Sequence, residues 1–225
     1  MKIPTNGPVV LGREFISLVP EFAAAILRTV ESGWARASSL PEHHAGAGEV
    51  VITECLRDSM RLALKLDDLP WGKEMIVLPG TESRSRVELL EPDGRTDIPV
   101  LLIGTFQQQD EHDPHAIIEC KRITGIDTDL CREYVIEGMD RFKTGKYGSN
   151  HAVGFMTGYL LSNNAKAAVD GVNSYLNGRL RKTEVLTPSK LISENWVWDS
   201  DHQRAAPSSP ITLHHAFLEL QSAPA

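Results

Sequence analysis

The sequence predicts an α/β protein, and two observations carry that expectation. Segments with helical spacing of apolar residues, Glu49–Leu66 and Asp129–Phe142 foremost, are interleaved with β-prone runs along the chain. Four of those runs, at 74–78, 86–90, 98–106 and 115–123, follow one another directly and are divided by Pro-Gly, Pro-Asp-Gly and an acidic, Gln-rich stretch. Short strands joined by turns of that kind make a meander, so the sheet is expected to be antiparallel in its first half and to carry helices on its faces. With 225 residues, 41% of them apolar and 24% charged, the chain has material for one domain, 1–225, with a sizeable core.

From Glu14 to about Arg36, residues Phe15, Ile16, Leu18, Val19, Phe22, Ala25, Ile26 and Val30 recur at helical spacing, giving an N-terminal helical layer over 10–40 that Pro20 should kink or restart. Residues 37–48, with Ser38-Ser39, Pro41 and His43-His44, have loop composition. On the Glu49–Leu66 helix, Ile52, Cys55, Leu56, Ser59, Met60, Leu62, Ala63 and Leu66 share one side and Glu54, Arg57, Asp58, Arg61 and Lys65 the other. Glu49 falls at the apolar edge. Beyond the meander come the 129–142 helix, a strand at 152–161 and a helix at 165–176. Strands are expected at 181–186, 196–198 and 211–220, the last two separated by a polar Ser/Pro-rich turn.

Several function classes are disfavoured by composition. The 23 basic and 30 acidic residues give a formal charge of −7, which opposes indiscriminate polyanion binding. The longest apolar runs, around 98–106 and 153–161, are far shorter than a bilayer requires, and the N-terminus has no export-signal pattern, so cytoplasmic residence without membrane attachment is expected. Cys55, Cys120 and Cys131 are widely spaced and form no C-x-x-C pair, which reads as buried thiols. His112 with His115 and the adjacent His214-His215 lack zinc-finger partners, and neighbours on a strand point to opposite faces. Neither a dinucleotide-binding Gly-x-Gly-x-x-Gly, a P-loop nor a Gly-x-Ser-x-Gly elbow occurs.

Charged residues inside apolar strands are the feature that needs explaining, because desolvating a charge is costly unless it is paired, metal-bound or facing a cleft. Asp97 opens one such strand, and Glu119 and Lys121 lie in Ala116-Ile117-Ile118-Glu119-Cys120-Lys121-Arg122. If the two strands form a hairpin, the midpoint of 97 and 119 is 108, inside Gln107-Gln108-Gln109, so Asp97 and Glu119 become cross-strand neighbours. Glu119 and Lys121 project to one face and Ile118 and Cys120 to the other. Two carboxylates suit Mg²⁺ or Mn²⁺, with the Cys120 carbonyl as a further ligand and the Lys121 ammonium orienting or helping to deprotonate an attacking water. Carboxylates so clustered, without metal, should show at least one raised pKa. The nearby cluster Arg141, Lys143, Lys146 and Tyr147 offers contacts to a phosphate backbone and a ring to stack on a base.

This pattern, an Asp followed some twenty residues later by apolar-apolar-Glu-x-Lys, resembles the PD-(D/E)XK, or restriction-endonuclease-like, nuclease superfamily. The resemblance covers roughly 48–161 and matches Asp97 to the family aspartate and Glu119-Cys120-Lys121 to its Glu-x-Lys element. It implies a restriction-endonuclease-like core of helix, three-strand meander, helix and strand, with a C-terminal β extension over 162–225. The family's helical glutamate matches Glu49, with Glu54 as the alternative; Asp93, in the literal Pro92-Asp93 pair, is the alternative to Asp97. The implied activity is a Mg²⁺- or Mn²⁺-dependent endonuclease on nucleic acid, DNA before RNA, in bacterial defence or restriction, with a homodimer or a partner subunit. Two other readings stand beside it: a non-catalytic nuclease-fold subunit in a larger assembly, and a small-molecule binder with a structural Glu119–Lys121 pair. Ser200-Asp-His202-Gln-Arg204 is similar to Ser-x-His-x-Arg stretches near the C-termini of nuclease-like bacterial proteins, and suggests either a polar loop or a phosphate-contacting or nucleophilic trio.

Overall fold

The computed structural model describes residues 18–69, 71–83, 94–109, 114–162, 164–205 and 208–221. Helices α1 (Pro20–Ala37) and α2 (Glu49–Leu66) precede strands β1 (Met75–Val77), β2 (Glu82–Ser83), β3 (Gly94–Arg95) and β4 (Ile98–Leu102). Helix α3 (Ile103–Gln109) and strand β5 (Ala116–Ile123) follow. Next come α4 (Thr128–Tyr134), a π-helical stretch (Val135–Met139) and α5 (Asp140–Lys143), which replace the single predicted helix. Strand β6 (Val153–Leu160), α6 (Ala165–Gly178), β7 (Thr187–Pro188), β8 (Val197–His202) and β9 (Ile211–Glu219) complete the described elements. Helix α1 starts at Pro20, whose fixed φ and missing N–H suit a first helical turn. The expected residues before 18, the strand at 86–90 and Asp93 lie outside the described residues.

The fold is α/β with an open, mixed seven-stranded sheet in the order β1-β4-β5-β6-β9-β8-β7. The β1–β4 and β4–β5 pairs are antiparallel, β5–β6 and β6–β9 parallel, and the β9–β8 and β8–β7 pairs antiparallel. One face is covered by α1 and α2, where Ile26, Leu27, Leu56 and Met60 pack with Ile118, Cys120, Phe155 and Tyr159. The other carries Tyr134, Val135, Met139, Phe142 and Val172 against Ile117, Met156, Leu213 and Phe217. Each such side chain, fully buried, contributes on the order of 1.5–3 kcal/mol. Among the described residues no helix is long and apolar enough to cross a membrane.

Three expectations are corrected. Residues 103–106 are helical, not strand: β1 ends at the Met75–Leu102 pair, and a chain with no further partner strand satisfies its backbone groups internally by turning into α3. Residues 181–186 form a 3₁₀ turn, Lys182–Glu184, in which the Glu184 side chain bonds back to Arg181, and only Thr187–Pro188 pairs as strand. The C-terminal segment is no appendage. Strand β9 lies beside β6 in the middle of the sheet, and β8 runs through His202 because Ser200 and His202 are buried as hydrogen-bonded side chains.

Candidate active site

The site forms where β4 leaves β5. Ile98 pairs with Ile118, so the register is the one that places Asp97 opposite Glu119, and the ladder stops there. Beyond it, among the described residues, no strand pairs with this side of β5, and two carboxylates accept from the backbone N–H groups of Cys120 and Arg122 instead. Asp97 Oδ2 accepts from the Cys120 N–H at 2.8 Å, and Glu49 Oε2 accepts from the Arg122 N–H at 3.0 Å. Glu49 reaches this point because it begins α2, and α2 is pinned to the sheet one turn on. Tyr159 OH donates to Thr53 Oγ1 at 3.1 Å, and Arg61 donates to the Val77 carbonyl at 3.0 Å.

Lys121 Nζ lies 3.0 Å from each of three oxygens, Glu49 Oε1, Glu119 Oε1 and the Cys120 carbonyl. Arg141 Nη1 donates to Glu119 Oε1 and to Tyr147 OH, both at 2.8 Å, and Tyr147 OH donates to the Arg95 carbonyl. Gly138 lets the π-helical stretch approach Met156, beside the Lys121 stem: a Cβ there would lie 2.5 Å from Met156 Cε. Glu119 is fully buried, and its second oxygen, Oε2, has no hydrogen-bond partner.

Electrostatics follow from that burial. Desolvation, then repulsion from Asp97, pushes Glu119 up to about 8 despite the attraction of Lys121 and Arg141. Burial also raises Asp97, against the opposing pull of Lys121. The clustered carboxylates thus show the raised values expected of them. Burial alone would lower Lys121, but Glu119, Glu49 and Asp97 hold its ammonium charged well above the usual lysine value. As the site stands, Lys121 is a donor and a positive charge, not a base.

The donor set bears on a metal. Among the described residues no three His, Cys, Asp or Glu side chains gather as metal ligands. What the edge offers is hard oxygen: Asp97, the unpartnered Glu119 Oε2 and the Cys120 carbonyl. Mg²⁺ and Mn²⁺ suit this set, because Mg²⁺ is held by one or two carboxylates and keeps several of its waters. The residues present fit such an ion.

The chain matches no family model, no curated protein and no solved structure.

Of the residues singled out in the sequence, Asp97, Glu119, Lys121 and Glu49 converge, and Glu54 does not: it pairs with Arg57 on a partly exposed side chain. Within the basic cluster, the stacking role expected of Tyr147 is corrected. The Tyr147 ring is fully buried, edge-on to Phe142 and under Arg141, so it braces the site and has no free face for a base. Lys143 is bound to Glu184 at 2.6 Å, and Arg141 to Glu119, so both cations are already paired. Lys146 lies against Gly94. Cys120 takes part through its backbone; its thiol is buried in the core. Arg57 was missed. It was placed on the solvent side of α2, yet it is only 8% exposed. The available signal was the four-residue spacing Glu49-Thr53-Arg57, which puts Arg57 on the stripe of the site glutamate.

The Ser200–Arg204 segment is strand through His202, and its polar groups are consumed internally. One assignment satisfies every bond with neutral imidazoles. Tyr134 OH donates to His215 Nδ1 at 3.0 Å and His215 Nε2–H to Ser200 Oγ at 2.8 Å; Ser200 OH then donates to His202 Nε2 at 2.7 Å and His202 Nδ1–H to Glu184 at 2.8 Å. Ser200 is buried with both its donor and an acceptor in use, so it is neither nucleophile nor phosphate contact. Arg204 ties the loop after α5, donating to the Gly148 carbonyl at 2.8 Å and the His151 carbonyl at 2.6 Å. His214 and His215 point to opposite faces, His214 to Asp199 and His215 to Tyr134.

Proposed function

We propose that the protein is a divalent-metal-dependent nuclease of PD-(D/E)XK type that hydrolyses phosphodiester bonds in nucleic acid, DNA before RNA. The observation that carries this reading is the fully buried Glu119, with one oxygen unpartnered, beside Asp97 and Lys121 at an open strand edge. Such a group is expensive to keep unless a ligand uses it. The order around the site also supports it: α2, the antiparallel strands β1, β4 and β5, a helical connection, then β6 parallel to β5.

In this reading Asp97, Glu119 and the Cys120 carbonyl hold Mg²⁺ or Mn²⁺, which supplies Lewis-acid stabilisation of the phosphate. Lys121 donates to the attacking water or to the developing negative charge, and Glu49 fixes the Lys121 ammonium from the helix side. Arg141 holds the Glu119 carboxylate in place, and Tyr147 fixes Arg141.

One observation favours the second reading, a non-catalytic nuclease-fold subunit: the Lys121 ammonium already bonds the Glu119 and Cys120 oxygens that a cation would use. Incubating labelled plasmid, single-stranded DNA and RNA with the purified chain plus Mg²⁺, Mn²⁺ or EDTA separates the two. Metal-dependent cutting that disappears in Asp97→Ala and Lys121→Ala supports the nuclease, and absence of cutting on all three substrates favours the subunit.

A further inference from the structure

Between α2 and the chain entering β4 lies a cleft of about 140 Å³, lined by Glu49, Thr53, Glu54, Arg57, Arg95 and Asp97 among others. It is smaller than the roughly 300–1,000 Å³ of a whole-ligand pocket, and so has the size for one group of a larger molecule. It opens beside the site described above, sharing Asp97 and Glu49 with it.

We infer that this cleft binds a phosphoryl group of the nucleic-acid strand, other than the one attacked, through the guanidinium groups of Arg57 and Arg95. Arg57 is 8% exposed, and its Nε has no hydrogen-bond partner. Its other recorded bond goes from Nη2 to Glu54. Leaving a buried guanidinium donor without a partner is costly, and a bound anion that the side chain turns to meet removes that cost. The carboxylates along the cleft are otherwise engaged. Glu49 serves Lys121 and the Arg122 N–H, Glu54 serves Arg57, and one Asp97 oxygen serves the Cys120 N–H.

Arg95 supplies the second cation. It lies on the opposite wall against Gly80, where a Cβ would sit 3.1 Å from Arg95 Nε and 2.7 Å from the Thr96 carbonyl, so only glycine leaves this wall open. Burial, then the charges of Arg61 and Arg95 against the pull of Asp58, depresses Arg57 below the usual arginine value. An anion between Arg57 and Arg95 relieves that repulsion. Guanidinium is the side chain best shaped to hold phosphate oxygens in pairs.

The anion site stands on this geometry; that its ligand belongs to a nucleic-acid strand rests on the nuclease reading. Titrating inorganic phosphate into the full chain in EDTA, by calorimetry, tests the site without any cleavage. Wild type is expected to bind phosphate, and Arg57→Gln and Arg95→Gln to bind it at least about tenfold more weakly. Arg95 is exposed, so its variant carries the test even if Arg57→Gln does not fold. Absence of phosphate binding to wild type, or unchanged affinity in Arg95→Gln, overturns the site. If wild type then cuts nucleic acid, only the site fails; if it cuts nothing but loses phosphate in the variants, only the nuclease reading fails. Where cleavage is measurable, Arg95→Gln is expected to raise KM with kcat little changed. A KM effect confined to 5′-phosphorylated linear substrate marks a terminal phosphate, and an equal effect on circular substrate an internal one; no KM effect on either overturns the role in substrate binding.

Discussion

Two buried polar clusters lie in this sheet, and they differ in closure. In the Glu184–His202–Ser200–His215–Tyr134 chain every bond has a partner, and Glu184 is further bound by Lys143 and Arg181 at 2.6 Å each. Burial alone would raise Glu184, but the bonds from Arg181, Lys143 and His202 bring it down to about 2. The Asp97–Glu119–Lys121 cluster is the reverse: Glu119 is driven up to about 8, Glu119 Oε2 is unpartnered, and so is Arg57 Nε in the adjoining cleft. A closed network holds a fold together, whereas the open one in the same sheet is the one we propose a ligand completes. The closed cluster also serves the open one, because Glu184 and Arg181 grip Lys143 and Asp140 on either side of Arg141, which bonds Glu119.

The comparison breaks most visibly in activity. Lys121→Ala should lower cleavage by roughly 10²–10⁴-fold, as loss of a positioned proton donor does, whereas Ser200→Ala should leave cleavage of the same plasmid unaffected once folded. Stability should respond in the opposite sense. Glu184→Ala strands Lys143 and His202, leaves Arg181 with Asp140 alone, and should cost about 3–5 kcal/mol in urea titrations at pH 6. Glu184 is depressed, so its contribution is present above pH 4.5 and lost as pH falls through about 2; the gap between variant and wild type should close over that window. Ser200→Ala leaves His202 and His215 each short of a partner and should cost about 1–3 kcal/mol.

The pH dependence of stability sharpens the contrast. Glu119 is raised from 4.5 to about 8, so the folded state holds its proton more tightly; that stability is complete below pH 4.5 and is lost as pH rises through about 8. In melting curves without metal, wild type should therefore lose stability between pH 5 and pH 8 relative to Glu119→Gln, which carries no such proton. A flat difference between the two proteins would show that Glu119 is not the strained group.

The site was legible where a single constraint decided it. Hairpin symmetry about position 108 gave the pairing of Asp97 with Glu119, period-2 alternation put Lys121 beside Glu119, and the helical wheel put Glu49 near the sheet. Residues whose surroundings come from distant chain were not legible. Arg57 reads as a solvent residue, yet the fold buries it along a cleft shared with Arg95 and Asp97, and Tyr147 reads as a stacking ring until Phe142 and Arg141 enclose it. Local pattern likewise marked β5, β6 and β9, which are buried almost throughout and mostly apolar, but not the end of β4, set by the short length of β1. The inward polar residues of β8 look like turn composition until Glu184 and His215 supply their partners.

The most direct test of the contrast is a calorimetric Mn²⁺ titration of wild type, Asp97→Asn and Ser200→Ala at pH 8, where a Glu119 raised to about 8 is partly ionised. The open cluster predicts one Mn²⁺ per chain, bound by wild type and Ser200→Ala and lost in Asp97→Asn. No binding to wild type, or binding that survives Asp97→Asn, would contradict it.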